Sequence, residues 1–297
     1  MGKTLFFYLF KVLPKRGLSR LVGRLMALEK PRWLARLLLW SFARYYKINM
    51  DEAELPLSSY PSVARLFTRR LRSGVRPLGD LEPLHPADGA LNEWGKVEKG
   101  QAYQIKGMAY SLEKLLQDPS WAQELEGGVY ATYYLCPTDY HRVHFPVSGQ
   151  VARALHVAGQ LWPVNALSVQ AVQELFAINE RVVVEILTDR GRVALVMVGA
   201  TNVGKMTMSF DRRLVTNQPQ DQPGQVAKHS YWPPIQVKAG DECGTFHMGS
   251  TVVMVYPKSF FSPEGQQVPS ESQIVGGHRW PGFVSGPVRM GERALKS

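Results

Sequence analysis

Four side chains in this 297-residue sequence have the types needed for nucleophilic and acid–base catalysis: Asp88, His141, His144 and Ser250. A serine hydroxyl becomes a good nucleophile when a neighbouring histidine, oriented by a carboxylate, accepts its proton. Each residue also has an ordinary structural interpretation. The Gly-Ser-Thr triplet around Ser250 is typical of a turn that enters a strand, and Asp88 followed by glycine is typical of a turn. His141 could equally bond to the backbone at a strand end.

A metal site is a further alternative for the two histidines. His141 and His144 are separated by two residues, a spacing that also occurs in zinc sites. No nearby cluster of Cys, His or Glu completes such a site in the sequence, so we expect no metal. The two cysteines, Cys136 and Cys243, form no C-x-x-C pair and are too few for a disulfide framework, which favours reducing surroundings.

Several blocks of sequence resemble those of phosphatidylserine decarboxylases, a family that makes a pyruvoyl cofactor from the serine of a Gly-Ser-Thr site. KAGDECGTFHMGSTVV (238–253) matches the self-cleavage region, with Met248 where leucine is common, a nearly isosteric change. HPADG (85–89) resembles the segment with a catalytic aspartate, and YLCPTDYHRVHFP (134–146) resembles the two-histidine segment. Further blocks match at 106–112, 179–182 and 198–204. The matches follow family order over about residues 60–256.

The resemblance implies that the chain cleaves itself between Gly249 and Ser250. Ser250 Oγ would attack the Gly249 carbonyl and move the acyl chain from nitrogen to oxygen, and a residue without Cβ permits the close approach. Elimination across the Ser250 Cα–Cβ bond and hydrolysis then leave a pyruvoyl group and ammonia. The expected products are a β chain of residues 1–249 and an α chain of residues 250–297. A further dimer of this pair is expected from the resemblance alone.

The resemblance also implies roles for the other candidates. His144 is the expected base for Ser250, and Asp88 is expected to orient it. The pyruvoyl ketone would capture the amine of phosphatidylserine as a Schiff base and accept the electrons released with CO₂, giving phosphatidylethanolamine. The resulting carbanion needs a proton, and His141 is preferred over His144 as its donor. Lys106 and Lys205 could hold a lipid phosphate, but solvated lysines are expected.

Basic residues are concentrated near the N-terminus. Residues 1–78 contain 16 Lys and Arg against 4 acidic residues, so the net charge of +10 divides into +12 there and −2 elsewhere. Apolar and arginine residues recur at helical spacing in 18–26, 32–46 and 63–72. Such basic amphipathic helices are typical of proteins that lie on an anionic membrane. We expect a peripheral protein on the cytoplasmic face of the cell membrane, with no spanning helix and no nucleic acid partner.

The remaining residues, 79–297, are expected to form a β-rich catalytic domain. The segments 129–135, 182–187, 193–198 and 251–256 are rich in β-branched and aromatic residues, which predicts strands. The segment 111–117 predicts a brief helix capped by Ser111. The expected fold class is α+β, with a mostly β body preceded by a membrane-association segment of amphipathic helices, residues 1–78.

Two other functions compete with this interpretation. A pyruvoyl-dependent decarboxylase of a soluble amino acid would share the reactive site, but it gives no reason for basic helices rich in tryptophan. A non-catalytic membrane-surface protein could keep the fold, but the joint presence of Asp88, His144 and Ser250 argues against it.

Overall fold

A computed structural model describes residues 15–104, 108–164, 168, 172–201, 205–247, 251–261 and 285–294. The body in these ranges is mostly β, with short helices and an N-terminal helical segment, which confirms the predicted α+β class. The predicted cleavage residues Gly249 and Ser250, and also Lys106, lie outside the described residues.

The described strands are β1 Gly89–Lys96, β2 Gln101–Gln104, β3 Met108–Ser111, β4 Val129–Tyr134, β5 Arg142–His144, β6 Gly149–Val157, β7 Arg181–Thr188, β8 Gly191–Val198, β9 Met206–Met208, β10 Val226–Val237, β11 Glu242–Phe246, β12 Thr251–Tyr256 and β13 Gly286–Val288. The described helices are α1 Lys15–Met26, α2 Arg32–Tyr45, α3 Val63–Phe67, α4 Leu112–Leu116, α5 Pro119–Glu124 and α6 Leu175–Ile178, with 3-10 turns at Leu57–Ser59 and Lys258–Phe260.

Antiparallel sheets form the body. The largest has the strand order β10-β6-β7-β8-β12-β4-β1-β13, a second has the order β5-β11-β9, and β2 pairs with β3. The side chains of β12 are buried along its whole length, and those of β8 are buried from Val193 onward. Continuous apolar runs fit strands that are covered on both faces, and the main hydrophobic core is built around them.

Local sequence features account for several elements. The predicted strands at 182–187 and 193–198 lie in β7 and β8, which form a hairpin in which Thr188 pairs with Gly191 around a two-residue turn. Gly191 has a φ of +116°, a backbone conformation that other residues rarely adopt. The predicted Ser111 cap is confirmed, because the Lys114 backbone N–H donates to Ser111 Oγ over 3.3 Å at the start of α4.

The N-terminal helices are only partly covered by the rest of the protein. A small core joins α2 to α3 and the loop between them, and its buried members are Leu39, Ala43, Ile48, Tyr60, Val63 and Leu66. The exposed apolar side chains on α1 and α2 are Leu21, Leu25, Trp33, Leu37, Trp40 and Tyr45. Among the helices that the structure describes, none combines the length and apolar character needed to cross a bilayer.

The third predicted amphipathic stretch, 63–72, differs from the expectation. Its helix α3 ends at Phe67, and Val63, Leu66 and Phe67 are buried. Arg69, expected on a solvated basic face, is only 5% exposed. This stretch therefore contributes to the interior and to the surroundings of the candidate site rather than to an exposed amphipathic face.

Candidate active site

In the large sheet, β1 and β12 both pair with β4, and the two strands begin at the same end of the sheet. Tyr134 at the end of β4 is in register with Ala90 on one side and with Thr251 on the other. Because neighbouring strands are about 4.8 Å apart, the starts of β1 and β12 are about 10 Å apart. Asp88 directly precedes β1, and Thr251 is the first described residue after the predicted cleavage bond. The fold thus positions Asp88 at the same end of the sheet as the segment in which cleavage is predicted.

A glycine permits this close packing of β1 on β4. Gly89 has a φ of +144°, and a Cβ at this position would lie 2.3 Å from the Tyr134 carbonyl oxygen. Any other residue would force the two strands apart directly beside Asp88. Strand packing therefore requires the glycine of this Asp-Gly pair, independently of any role of the Asp88 carboxylate.

The smaller sheet brings both histidines beside the strand that leads to the cleavage segment. His144 on β5 is in register with Glu242 on β11, and the Phe246 backbone N–H donates to the His141 carbonyl over 3.0 Å. The His144 backbone N–H donates to the Pro86 carbonyl over 2.7 Å, which ties β5 to the segment that carries Asp88. Asp88, His141, His144 and β11 consequently form one neighbourhood.

The His144 ring is arranged as a neutral base. Its Nδ1 lies 2.7 Å from the Gly240 carbonyl oxygen, and its Nε2 lies 3.0 Å from the Tyr140 hydroxyl. A carbonyl oxygen can only accept, so the proton of the neutral ring is assigned to Nδ1 and the lone pair to Nε2. Burial lowers the pKa of His144 below its ordinary value. The ring is therefore neutral near pH 7, with Nε2 able to accept a proton.

Asp88 is held by an arginine that sequence analysis did not select. Arg76 Nε donates to Asp88 Oδ1 over 2.9 Å, and Arg76 Nη2 donates to Asp88 Oδ2 over 2.6 Å. The Met290 backbone N–H also donates to Asp88 Oδ1 over 2.9 Å. Arg76 Nη2 reaches Glu52 Oε2 as well, over 2.7 Å. The hydrogen bonds to Asp88 raise the pKa of Arg76, so the guanidinium keeps its charge beside this carboxyl group.

The structure brings Asp88 and His144 close without a hydrogen bond between their side chains in this arrangement. The two ring nitrogens of His144 face Gly240 and Tyr140, while Asp88 faces Arg76 and Met290. The negative charge of Asp88 acts on His144 through space and opposes the effect of burial on the pKa of His144. Direct orientation of His144 by Asp88 stays a prediction.

His141 is the most enclosed of the predicted residues. It is fully buried, its ring lies 3.9 Å from that of Phe67, and its Nδ1 lies 2.8 Å from the Asp139 carbonyl oxygen. Burial lowers the pKa of His141 to about 3, so the ring is neutral at physiological pH. The proton is assigned to Nδ1, so Nε2 has a lone pair and must first gain a proton before it can donate one.

Comparison with known proteins agrees with the family resemblance of the sequence blocks around Asp88, the two histidines and Ser250. A sequence model described as phosphatidylserine decarboxylase matches residues 63–295. The chain belongs to this decarboxylase family. It is similar to the phosphatidylserine decarboxylase proenzyme of Anaeromyxobacter sp. (strain K), with 42% identity over 86% of this chain and 90% of the relative. It is also similar to the proenzymes of Myxococcus xanthus (38% identity, 86% and 90%) and Methylobacillus flagellatus (41%, 84% and 88%).

The region matched by the family model begins where the third helix of the fold begins. The matched region begins at Val63, the first residue of α3, and includes Asp88, His141, His144 and Ser250. The exposed helices α1 and α2 precede it. As a member of this family the chain is a carboxy-lyase.

Sequence reasoning missed three groups around the site of this decarboxylase: Arg69, Arg76 and Tyr140. Both arginines lie within residues 1–78, which the sequence assigns to membrane association, and the groups they bond to at the site, Asp88 for Arg76 and Thr138 for Arg69, lie 12 and 69 residues away. Tyr140 lies within the matched two-histidine block, and its side chain is buried against His144. The block could have indicated it, whereas charge and spacing alone could not have separated the two arginines from their neighbours.

One group of described residues in the decarboxylase has a composition suited to a metal: His156, Glu180 and Asp221. His156 Nε2 lies 3.0 Å from Glu180 Oε1, which also accepts the Asn217 backbone N–H over 2.5 Å. These hydrogen bonds satisfy the group as a buried polar network. The predicted histidines 141 and 144 belong to a different part of the fold. Lys205, named as a possible phosphate ligand, is exposed.

Proposed function

We propose that this chain is a phosphatidylserine decarboxylase proenzyme that generates a pyruvoyl group from Ser250 and uses it to form phosphatidylethanolamine and CO₂. The observation that supports this most directly is a neutral His144 beside Asp88 and β11. His247 and Thr251 are the described residues on either side of the Gly249–Ser250 bond, and both lie within the part of the chain that the family model matches. The competing soluble-substrate function lacks a reason for the exposed apolar surface of α1 and α2.

In the proposed self-cleavage, His144 Nε2 accepts the proton of Ser250 Oγ as the oxygen attacks the Gly249 carbonyl. The same nitrogen returns that proton to the Ser250 nitrogen when the amide bond breaks, so protons balance. The Gly240 carbonyl holds Nδ1–H throughout, and the charge of Asp88 stabilises the transient imidazolium. Tyr140 must release Nε2 before this step, since its hydroxyl occupies the lone pair.

In the proposed decarboxylation, the pyruvoyl group supplies a ketone that forms a Schiff base with the substrate amine and accepts the electrons released with CO₂. His141 Nε2 is neutral and unprotonated, so we assign it first the role of base toward the substrate ammonium. The proton gained in this way is then available for the carbon from which CO₂ has left. This sequence reconciles the proposed donor role of His141 with its lowered pKa.

We also propose that residues 1–78 attach the enzyme peripherally to the cytoplasmic face of the cell membrane through α1 and α2, and that residues 79–297 form the catalytic domain, against which the end of the first segment packs. Trp33 and Trp40 are 68% and 57% exposed, and α1 and α2 contribute several basic residues. Tryptophan and leucine beside arginine suit the interface of an anionic bilayer. A further dimer of the cleaved pair stays a prediction.

Denaturing mass spectrometry of the purified protein tests the proposed enzyme. We expect two chains, residues 1–249 and 250–297, with a keto group instead of an amine at the start of the second. Ser250→Ala should remain one chain without decarboxylase activity, and Ser259→Ala, which changes a serine near the end of β12, should cleave normally. An intact unmodified chain from an active preparation would refute the pyruvoyl mechanism.

Vesicle flotation tests the proposed membrane segment. The double variant Trp33→Ser, Trp40→Ser should bind vesicles of phosphatidylserine and phosphatidylcholine at least about 10-fold more weakly, because two large apolar side chains no longer enter the interface. Trp232→Ser removes a tryptophan that is 94% exposed on β10 and serves as the control. Equal loss of binding in the control would place the contact elsewhere.

A further inference from the structure

Arg69 and His141 each leave buried polar atoms unsatisfied beside the candidate site. Among the described residues, no hydrogen-bond partner exists for Arg69 Nε, Arg69 Nη1 or His141 Nε2. Arg69 is 5% exposed and His141 is fully buried. Buried polar groups without partners cost free energy, and native proteins keep few of them without a ligand, a bound water or a catalytic role. Two such side chains in one region are therefore candidates for binding a polar ligand.

One short turn holds both side chains. Arg69 Nη2 donates to the Thr138 carbonyl over 3.0 Å, and His141 Nδ1 lies 2.8 Å from the carbonyl of the next residue, Asp139. Phe67, two residues before Arg69, stacks against the His141 ring. Because their anchors are consecutive carbonyl groups, the guanidinium and the imidazole are neighbours.

Tyr60 adds a third polar group on the side of the N-terminal core. It is 8% exposed, and its hydroxyl approaches the Leu55 backbone but makes no hydrogen bond of normal geometry. Burial raises the pKa of Tyr60, and the charge of Arg69 opposes this effect. Tyr60 packs in the α2–α3 core together with Leu66, three residues before Arg69, so its hydroxyl offers a second donor in this region.

The unsatisfied guanidinium requires an acceptor, and the nearby carboxylates have other partners. Asp88 bonds to Arg76, and Asp139 Oδ2 accepts the Cys136 backbone N–H over 2.6 Å. Among the described residues, neither carboxylate forms an ion pair with Arg69. A guanidinium has only donors and keeps its charge, so the ligand that fits it best is an oxyanion.

We propose that Arg69, assisted by Tyr60, binds the phosphodiester of the phospholipid substrate, an inference that rests on the proposed function. The substrate also offers its carboxylate. That group loses its charge as CO₂ leaves, so an arginine bound to it would stabilise the substrate more than the transition state and slow the reaction. The phosphodiester keeps its charge throughout, so Arg69 can bind it equally in both states. The position of Arg69, between the α2–α3 core and His141, suits the phosphate of a lipid whose serine amine reacts near His141.

Steady-state kinetics on cleaved full-length enzyme test the assignment. With dioleoylphosphatidylserine in mixed micelles, Arg69→Gln should raise KM about 10- to 100-fold and change kcat by less than about 3-fold, the result of losing uniform binding to a charged group. Arg69→Lys should recover part of the loss, because lysine keeps the charge without the planar fork. Arg153→Gln removes an arginine paired with Asp118 and Glu185 away from the site and should leave KM unchanged.

Two soluble inhibitors without a reactive amine distinguish the anions. Glycerophosphocholine has a phosphodiester and no carboxylate, whereas N-acetylserine has a carboxylate and no phosphate. We expect Arg69→Gln to weaken inhibition by glycerophosphocholine about 10-fold or more and to leave inhibition by N-acetylserine unchanged. The reverse pattern would assign Arg69 to the carboxylate and overturn the proposal. Unchanged inhibition by both compounds would make Arg69 purely structural and also overturn it.

The outcomes separate this inference from the proposed function. If the wild-type chain neither cleaves nor decarboxylates phosphatidylserine, the proposed function fails. If the wild type is active and only the Arg69 assignment is wrong, KM and glycerophosphocholine inhibition stay at wild-type values in the cleaved variants. Should both Arg69 variants fail to fold or cleave, Tyr60→Phe deletes a single hydroxyl. It should weaken glycerophosphocholine inhibition about 3- to 10-fold, and no change would count against the proposal.

Discussion

Loss of the buried Arg76–Asp88 pair should destabilise the protein far more than loss of an arginine–aspartate pair whose arginine is exposed. The side chains of Arg76 and Asp88 are 7% and 10% exposed, and Arg76→Gln would leave the Met290 backbone N–H as the one hydrogen-bond partner of Asp88 among the described residues. Removing one member of a buried ion pair costs about 3–5 kcal/mol. For a protein whose unfolding free energy is about 5–15 kcal/mol, this loss should lower Tm by about 6–20 °C.

The assay is thermal and denaturant unfolding in the Ser250→Ala background, where every variant is one covalent chain. Arg213→Gln is the matched control, because Arg213 also bonds to an aspartate through two nitrogens, over 3.0 and 3.1 Å, but its side chain is 76% exposed. The control should lower Tm much less, because Arg213 is exposed and the buried Asp211 keeps hydrogen bonds to His229 and Tyr231. Combining Arg76→Gln with Asp88→Asn removes the uncompensated charge and should recover about 2 kcal/mol.

The result that would refute this reasoning is a loss of less than about 1 kcal/mol for Arg76→Gln, the value expected of a solvated pair. A double variant no more stable than Arg76→Gln alone would show that lost packing, not the stranded carboxylate, causes the effect. Glu52→Gln tests the outer part of the same network, because it removes a charge and keeps the shape of the side chain. We expect a smaller loss from it than from Arg76→Gln.

Two further predictions concern pH. The pKa of His247 is lowered by burial to about 4, from an ordinary value near 6.5, so between these pH values the unfolded chain binds a proton that the native chain does not. The unfolding free energy of Ser250→Ala should therefore fall with decreasing pH across this range, and His247→Gln should reduce the slope by up to about 1.4 kcal/mol per pH unit; equal slopes would contradict this. The lowered pKa of His144 keeps the proposed base neutral above pH 6.5, so the rate of self-cleavage should be constant from pH 8 to 6.5 and fall only below that. A midpoint above pH 6.5 in quenched time courses would exclude His144 as a buried neutral base.

Local pattern was sufficient to predict much of the sheet. The β7–β8 hairpin, β12 and the Ser111 cap follow from side-chain type, turn residues and spacing over a few positions. The motif blocks also selected Asp88, His141 and His144, which the fold brings into one neighbourhood. These features depend on neighbouring residues in the chain, and the sequence contains that information directly.

The arginines could not be predicted in the same way, because their partners lie outside the local pattern: Arg76 bonds to Asp88 and Glu52, which are 12 and 24 residues away. Arg69 bonds to a carbonyl 69 residues away, and Asp88 accepts a backbone N–H 202 residues away. From spacing alone, Arg69 and Arg76 resemble the exposed arginines of α1 and α2, and the whole stretch was interpreted as a membrane-binding face. Only the tertiary fold distinguishes a buried guanidinium from a solvated one, since the difference lies in what packs around it.

The position of β12 explains how a chain could break beside its central sheet and keep its fold. β12 lies between β8 and β4, so the proposed α chain is hydrogen-bonded on both sides from Thr251 onward. Farther along, β13 pairs with β1, and the Met290 backbone N–H donates to Asp88. Separating the two chains would require these ladders to open, which amounts to unfolding the body. The proposed cleavage therefore changes the chemistry at Ser250 while the surrounding sheet continues to position Asp88 and β1, with His144 tied to them through Pro86.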